Sequence, residues 1–270
     1  MSDSKSENAF TFPVVDKSNL RYLLAVKDFN NRAVACRRQE DFKCAIQNYT
    51  DALRIDPESA VLYNNRGVVW LKKKAFDQAI SDFSKALQFE PDSGVALYNR
   101  GNAWRAKKNL DCAIIDFTRA LKATPDLTQA YNNRGEAYSE KGELDLAIKD
   151  FTRAIDIDSD FASAYNNRGE TWHAIGNLDA ARSDYRQALR LNPALTATYY
   201  NRGKLRLETG DKDRAMADFR KALKIDPGFT AAYRTLSRLL KSKEQPSGGI
   251  DHKALVQSSK NRGVDQDLSD

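Results

Sequence analysis

Asparagine recurs every 34 residues, at Asn31, Asn65, Asn99, Asn133, Asn167 and Asn201. A carboxamide carries both donors and an acceptor, so a row of them can pair with the backbone of an extended peptide almost regardless of that peptide's sequence. Asparagine is a mediocre helix former, about 0.5 kcal/mol worse than alanine, so its repetition calls for a compensating use. Tandem duplication alone can copy a residue. Yet the position three residues further on has diverged to Val34, Val68, Asn102, Glu136, Glu170 and Lys204. Each asparagine is followed by an arginine, Arg32, Arg66, Arg100, Arg134, Arg168 and Arg202. Asp82, Asp116, Asp150, Asp184 and Asp218 stand at a fixed distance from the last five, which predicts a structural ion pair rather than a phosphate-binding ladder. Arg32 is offered only Asn48.

Variable charges supply the other candidate chemistry. Arg37, Arg38, Lys72 and Arg105 make the earlier part of the same helical face basic, and Glu136, Glu140 and Glu170 make its middle acidic. A protein partner with an acidic segment next to a basic one would match. Read as ordinary solvated charges, the same residues would contribute little. Lys72-Lys73-Lys74 and Lys107-Lys108 fall at inter-helix turns and read as solubilising.

Nothing points to catalysis, and the chain is not read as an enzyme. His173 and His252 have no nucleophile or metal-ligand partner at recognisable spacing, and no phosphate-binding glycine loop appears. Cys36, Cys44 and Cys112 are odd in number and lack zinc spacing, so free thiols are expected. No catalytic residue, metal or cofactor is therefore assigned.

These side chains must be positioned by a repeat. Tyr63-Asn64-Asn65-Arg66-Gly67, Tyr131-Asn132-Asn133-Arg134-Gly135 and Tyr165-Asn166-Asn167-Arg168-Gly169 recur at multiples of 34 residues, with near copies at Tyr98-Asn99-Arg100-Gly101 and Asn201-Arg202-Gly203. Numbering each unit from 1 to 34 gives repeats at 26–59, 60–93, 94–127, 128–161, 162–195 and 196–229. Positions 4, 8 and 11 then share one helical stripe, and positions 20, 24 and 27 share another on a second helix. Position 4 is Phe29, Tyr63, Leu97, Tyr131, Tyr165 and Tyr199. Glycine holds position 8 after Ala33, and alanine holds positions 20 and 27 throughout. Position 24 is Tyr49, Phe83, Phe117, Phe151, Tyr185 and Phe219. Small residues let the helices approach and the aromatics fill the space between neighbours. Gly142, Gly176 and Gly210 at position 15 suit a left-handed helix end, and Asn109, Asn177 and Asp211 suit caps of the next helix. Position 32 is proline in five units, which stops the second helix; Ser159 is the exception, and Arg206 replaces the usual aromatic at position 11.

Period, helix-turn-helix content and signature positions resemble the tetratricopeptide repeat family over about three-quarters of the chain. The resemblance implies an all-α fold, a right-handed superhelical α-solenoid, whose first helices line a concave groove with positions 2, 6, 9 and 13. It also implies a scaffold or adaptor that binds a protein or peptide there. The asparagine row is similar to the ladder lining the superhelix of O-linked N-acetylglucosamine transferases, and only the repeat portion carries that likeness. A co-chaperone clamp in this family uses Lys at 5 and Asn at 9 of one unit, then Asn at 6, then Lys at 2 and Arg at 6. Here those positions are Asn30, Val34, Asn65, Val95 and Asn99, and Asn65 alone matches.

The expected layout is a flexible segment over 1–17, a solenoid over 18–243 and a disordered tail over 244–270. Ser18-Asn19 would cap a first helix, and Thr230 to Lys243 would form a basic capping helix. The acidic end, Val264 to Asp270, is a candidate to fold back onto the basic part of the groove. With 41% hydrophobic and 30% charged residues the chain is too apolar for disorder and too polar for a membrane protein. Without a roughly 18-residue apolar run or a secretory leader it reads as soluble and cytoplasmic. A net charge of +6 and a pI near 9.1 raise RNA binding as the alternative. The fourth unit, with eight carboxylates against four basic side chains, interrupts any continuous phosphate track. Homo-oligomerisation is left open.

Overall fold

The structure is a computed structural model that describes residues 20–244. The flexible segment, the Ser18-Asn19 cap and the tail from 245 onward, with its acidic end, lie outside the described residues. Thirteen helices and no strand are found among the described residues: α1 (Leu20–Arg38), α2 (Phe42–Ile55), α3 (Ala60–Lys72), α4 (Phe76–Phe89), α5 (Gly94–Ala106), α6 (Leu110–Ala123), α7 (Thr128–Lys141), α8 (Leu144–Ile157), α9 (Ala162–Ala174), α10 (Leu178–Leu191), α11 (Thr196–Glu208), α12 (Lys212–Ile225) and α13 (Thr230–Glu244). The fold class is the all-α helical-repeat solenoid. The chain divides into two compact units, residues up to Asp184 and residues from Tyr185.

Local chemistry sets the helix ends. Asp41, Asn109, Asn177 and Asp211 each accept a backbone N–H in the first turn of the helix that follows. Gly142, Gly176 and Gly210 adopt φ of 81°, 83° and 83°. The equivalent positions of the first three repeats are also left-handed but carry side chains, with Glu40, Lys74 and Lys108 at φ of 59°, 60° and 63°. Proline is not what halts the second helices. α8 ends at Ile157 although Ser159 replaces proline, with the Asp158 N–H closing onto the Ala154 carbonyl as its counterparts do.

Packing follows the two stripes. Ala45, Tyr49 and Ala52 in α2, Ala79, Phe83 and Ala86 in α4, and Ala113, Phe117 and Ala120 in α6 are all buried. A Cβ added to Gly67 would lie 2.7 Å from the Phe83 ring, and one added to Gly101 would lie 2.7 Å from Phe117. The glycines are therefore where the first helix rests on the aromatic of the second. In the second compact unit Ala215, Met216, Phe219 and Ala222 form a core with Ala232 and Leu236 of α13, which covers the end of α12.

The predicted ion pairs form in five repeats. Arg66, Arg100, Arg134, Arg168 and Arg202 each make two charge-assisted hydrogen bonds to Asp82, Asp116, Asp150, Asp184 and Asp218, at 2.7 to 3.0 Å. The third guanidinium nitrogen of the first four reaches back to the preceding repeat and donates to Thr50, Ser84, Thr118 and Thr152. Each of these four arginines thus ties one helix pair together and joins it to its neighbour. Four also lie over an aromatic ring of their own helix, as Arg66 does over Tyr63 at 5.6 Å. The Asp82 hydrogen bond holds the Arg66 guanidinium above its ordinary pKa, and Asp184 does the same for Arg168. In the sixth repeat Arg206 occupies the aromatic position and adds a second cation to Asp218, 2.7 Å away. Burial pulls its pKa down.

The first repeat departs from the pattern. Arg32 turns to Asp28 one turn back, and Asn48 bonds the Cys44 carbonyl. The expectation of three free thiols is corrected here. Cys36 and Cys44 form a disulfide joining α1 to α2, and Cys112 alone is free. An odd count cannot reveal that positions 11 and 19 of one repeat face each other across a helix pair, with Cα atoms 5.8 Å apart.

Two stability changes follow from this packing. Asp116→Ala leaves the Arg100 guanidinium buried without its carboxylate and is expected to lower the unfolding free energy by about 3 kcal/mol in urea melts. Lys74→Gly relieves an exposed left-handed residue and is expected to raise it by about 0.5 kcal/mol, after the extra freedom glycine gives the unfolded chain.

Candidate functional site

The candidate residues lie on the first helix of each repeat, and the stacking of those helices decides what their side chains can do. Asn31 in α1 is exposed and Asn65 in α3 is half-buried. In α5, α7 and α9 the amides are used between repeats. Asn99 donates to the Asn64 carbonyl oxygen at 2.9 Å. Asn133 donates to the Tyr98 hydroxyl at 3.1 Å and to Asn102 at 2.7 Å. Asn167 donates to Asn132 at 3.1 Å and to the Glu136 carboxylate at 2.8 Å. Both amide hydrogens of Asn133 and Asn167 are thereby committed to the preceding repeat. The acceptors sit at positions 5 and 9, which sequence reasoning did not connect to the asparagine row; polar residues recurring at position 5 were the available signal. Asn201, in the second compact unit, is 5% exposed.

The rung between the first two repeats is open. Asn30 stands at position 5, but its side-chain oxygen is buried with no donor, and the Asn65 side chain forms no hydrogen bond, among the described residues. Val34, at position 9, offers nothing polar. On the same face Val61 and Val95, at position 2, are 58% and 62% exposed. Sequence reasoning placed position 2 on this face without singling these valines out.

The charges sort differently from their sequence pattern. Arg37 is half-buried, Arg38 and Lys72 are exposed, and none of the three forms an ion pair among the described residues. Arg105 is spent: it lies 2.5 Å from Glu136 and 3.5 Å from Glu140, and Lys108 adds a 2.7 Å contact to Glu140. Stacking brings position 12 of one repeat against positions 9 and 13 of the next, so the basic and acidic stretches neutralise each other where they meet. A cleft of about 330 Å³ opens there, lined by Arg105, Glu136, Ser139, Glu140, Phe151, Asn167 and Glu170. The structure thus gathers Arg105, Glu136, Glu140, Asn167 and Glu170 and leaves Arg37, Arg38 and Lys72 apart from them. Among the described residues no group of three His, Cys, Asp or Glu side chains is placed to hold a metal ion, and no helix is long and apolar enough to cross a membrane.

Comparison with known proteins agrees with this architecture. Tetratricopeptide repeat family profiles match residues 60–93 and 174–228, and a TPR repeat profile matches residues 135–176. No curated protein matches the chain. Among solved structures, PilW, a widely conserved type IV pilus biogenesis factor, aligns with a TM-score of 0.71 at 21% identity, covering 81% of this chain and 100% of its own. PilF of Pseudomonas aeruginosa aligns at 0.69 and 16% identity, over 81% and 99%. YrrB, a TPR protein with an unusual peptide-binding site, aligns at 0.55 and 22% identity, over 69% and 96%. At these identities the likeness is one of fold. With its family profiles, its 34-residue helix pairs and its buried signature positions, the chain belongs to the tetratricopeptide repeat family, whose members are in general protein-interaction scaffolds.

Proposed function

We propose that the first-helix face of the opening three repeats binds an extended, acidic segment of a partner protein, as a non-enzymatic adaptor. The observation that carries this reading is the set of unspent groups there. Among the described residues Asn31 and Asn65 retain free amides, and Arg37, Arg38 and Lys72 lack carboxylates. A peptide backbone supplies the missing donors and acceptors, and acidic side chains supply the counter-charges. The exposed Val61 and Val95 add apolar surface for alternate side chains of an extended strand.

The remaining candidates fit a continuation of the same surface. Asn99 keeps one amide hydrogen beyond its bond to Asn64. Asn133 and Asn167 serve the repeat packing more than the ligand, tying each first helix to the one before it. A basic side chain of the partner, following its acidic segment, would compete with Arg105 and Lys108 for Glu136 and Glu140 at the cleft, which Glu170 also lines. Nucleic acid is a poorer match to this surface, because the acidic fourth repeat follows directly on the basic stretch.

A quantitative pull-down with the full chain tests the reading. Replacing Asn31 and Asn65 together by Ala is expected to weaken binding of the partner about thirtyfold, with helicity and melting unchanged; each lost backbone contact is worth roughly 1 kcal/mol. Equal recovery moves the binding surface elsewhere. Asn133→Ala should behave in the opposite sense, lowering the melting temperature through its lost bonds to Tyr98 and Asn102.

A further inference from the structure

Five repeats hold their two helices together with a buried arginine-carboxylate pair, and the first repeat has none. Its Arg32 pairs instead with Asp28 on the same helix, with both side chains more than half exposed. Such a surface pair contributes little. Its position 23 is Asn48, whose amide is occupied by the Cys44 carbonyl and lies 3.4 Å from the Cys44 sulfur. Where the ionic latch is absent, a Cys36–Cys44 disulfide joins the same two helices. The one repeat missing the carboxylate is also the one repeat with two cysteines; Cys112 of the third repeat is alone.

We propose that Cys36 and Cys44 form a reversible thiol–disulfide site, exchanging with low-molecular-weight thiols of the glutathione class, and that its oxidised state is a covalent substitute for the missing ionic latch. The surroundings suit exchange. Cys36 is followed directly by Arg37 and Arg38, and Cys44 is preceded by Lys43. Nearby cations favour the thiolate, the form that attacks and leaves. Both cysteines are only partly buried.

The chemistry balances with the thiol as the named co-reactant. A small-molecule thiolate attacks one sulfur, the Cys36–Cys44 bond breaks, and the other sulfur leaves as a thiolate and takes up a proton. A second thiolate then attacks the mixed disulfide and releases the remaining cysteine. Two small thiols are oxidised to one small disulfide, and the protein disulfide is reduced to two thiols. Oxidation runs the same steps in reverse, with the small disulfide as electron acceptor.

The consequence falls on α1. Val26, Phe29, Ala33 and Cys36 of this helix pack with α2 in the first core cluster, and α1 carries Asn31, Arg37 and Arg38. Closing the nine-residue loop restricts the opened state of the helix pair. Reduction removes that restriction while Arg32 has no carboxylate across the pair to take over. The redox state therefore sets how firmly the first turn of the proposed peptide surface is held. This part of the inference rests on the peptide-binding reading; the latch itself does not.

The test uses the full chain equilibrated in oxidised or reduced glutathione. Alkylation after denaturation is expected to label one cysteine, Cys112, in the oxidised protein and three in the reduced protein. Three labels in the oxidised sample, or a disulfide that includes Cys112, overturns the proposal. Hydrogen exchange of the α1 amides is expected to be on the order of 30-fold faster or more after reduction, the amount a disulfide of typical strength implies. Equal rates overturn it. Asn48→Asp restores the carboxylate that the other repeats possess and is expected to return α1 in the reduced protein to slow exchange. If protection does not return, the disulfide is no substitute for the ionic latch. A variant with Cys36 and Cys44 both replaced by Ala should exchange like the reduced protein in either buffer, and a remaining dependence on glutathione overturns the assignment to this pair. Partner recovery, measured alongside, separates the two readings, because loss of the peptide surface leaves the exchange results standing.

Discussion

A guanidinium with three commitments governs this repeat. In repeats two to five the arginine binds the aspartate of its own second helix with two nitrogens and a hydroxyl of the preceding repeat with the third. The aspartates are 2% to 6% exposed in these repeats, so each pair is desolvated and stands only because its hydrogen bonds are complete. The planar fork of arginine makes this possible where a lysine could not. One residue type thereby links the interior of a helix pair to the stacking of pairs, on which any repeat array depends for stability.

That latch leaves the exposed face of the first helices to a second row of bonds. The asparagines beside the arginines repeat the logic with neutral groups, reaching back to positions 5 and 9 of the preceding repeat. Their polarity is needed because stacking half-buries this face, and an unpaired amide there would be costly. The row is engaged in the third to fifth repeats and left open at the first two among the described residues. The unengaged amides lie where the inter-repeat bonding is unfinished, and the apolar Val61 and Val95 lie at the same end.

The two ends of the array are finished by different means. At the far end α13 covers α12 with Ala232 and Leu236, an apolar seal on the last pair. In the sixth repeat Arg206 joins Arg202 on one aspartate, so this repeat keeps its ionic latch although its aromatic at position 11 and its neighbour's hydroxyl are missing. The first repeat gives up the ionic latch and holds its helices through sulfur. The interior repeats are alike because each must satisfy two neighbours.

Period and residue type determined the helix pairs, the packing stripes, the capping residues, the left-handed glycines and the aspartate partner of five of the six arginines. All of these are contacts inside one repeat, at fixed spacing along the chain, and repetition makes them visible. Tertiary structure alone decided what happens between repeats. It showed that Thr50, Ser84, Thr118 and Thr152 complete the arginine latch. It also spent Asn133 and Asn167 on their neighbours, drew Arg105 onto Glu136 and Glu140, and brought Cys36 against Cys44. Those outcomes depend on the angle and register at which one helix lies against another. A sequence records which groups seek partners, whereas distance in space decides which partner is reached.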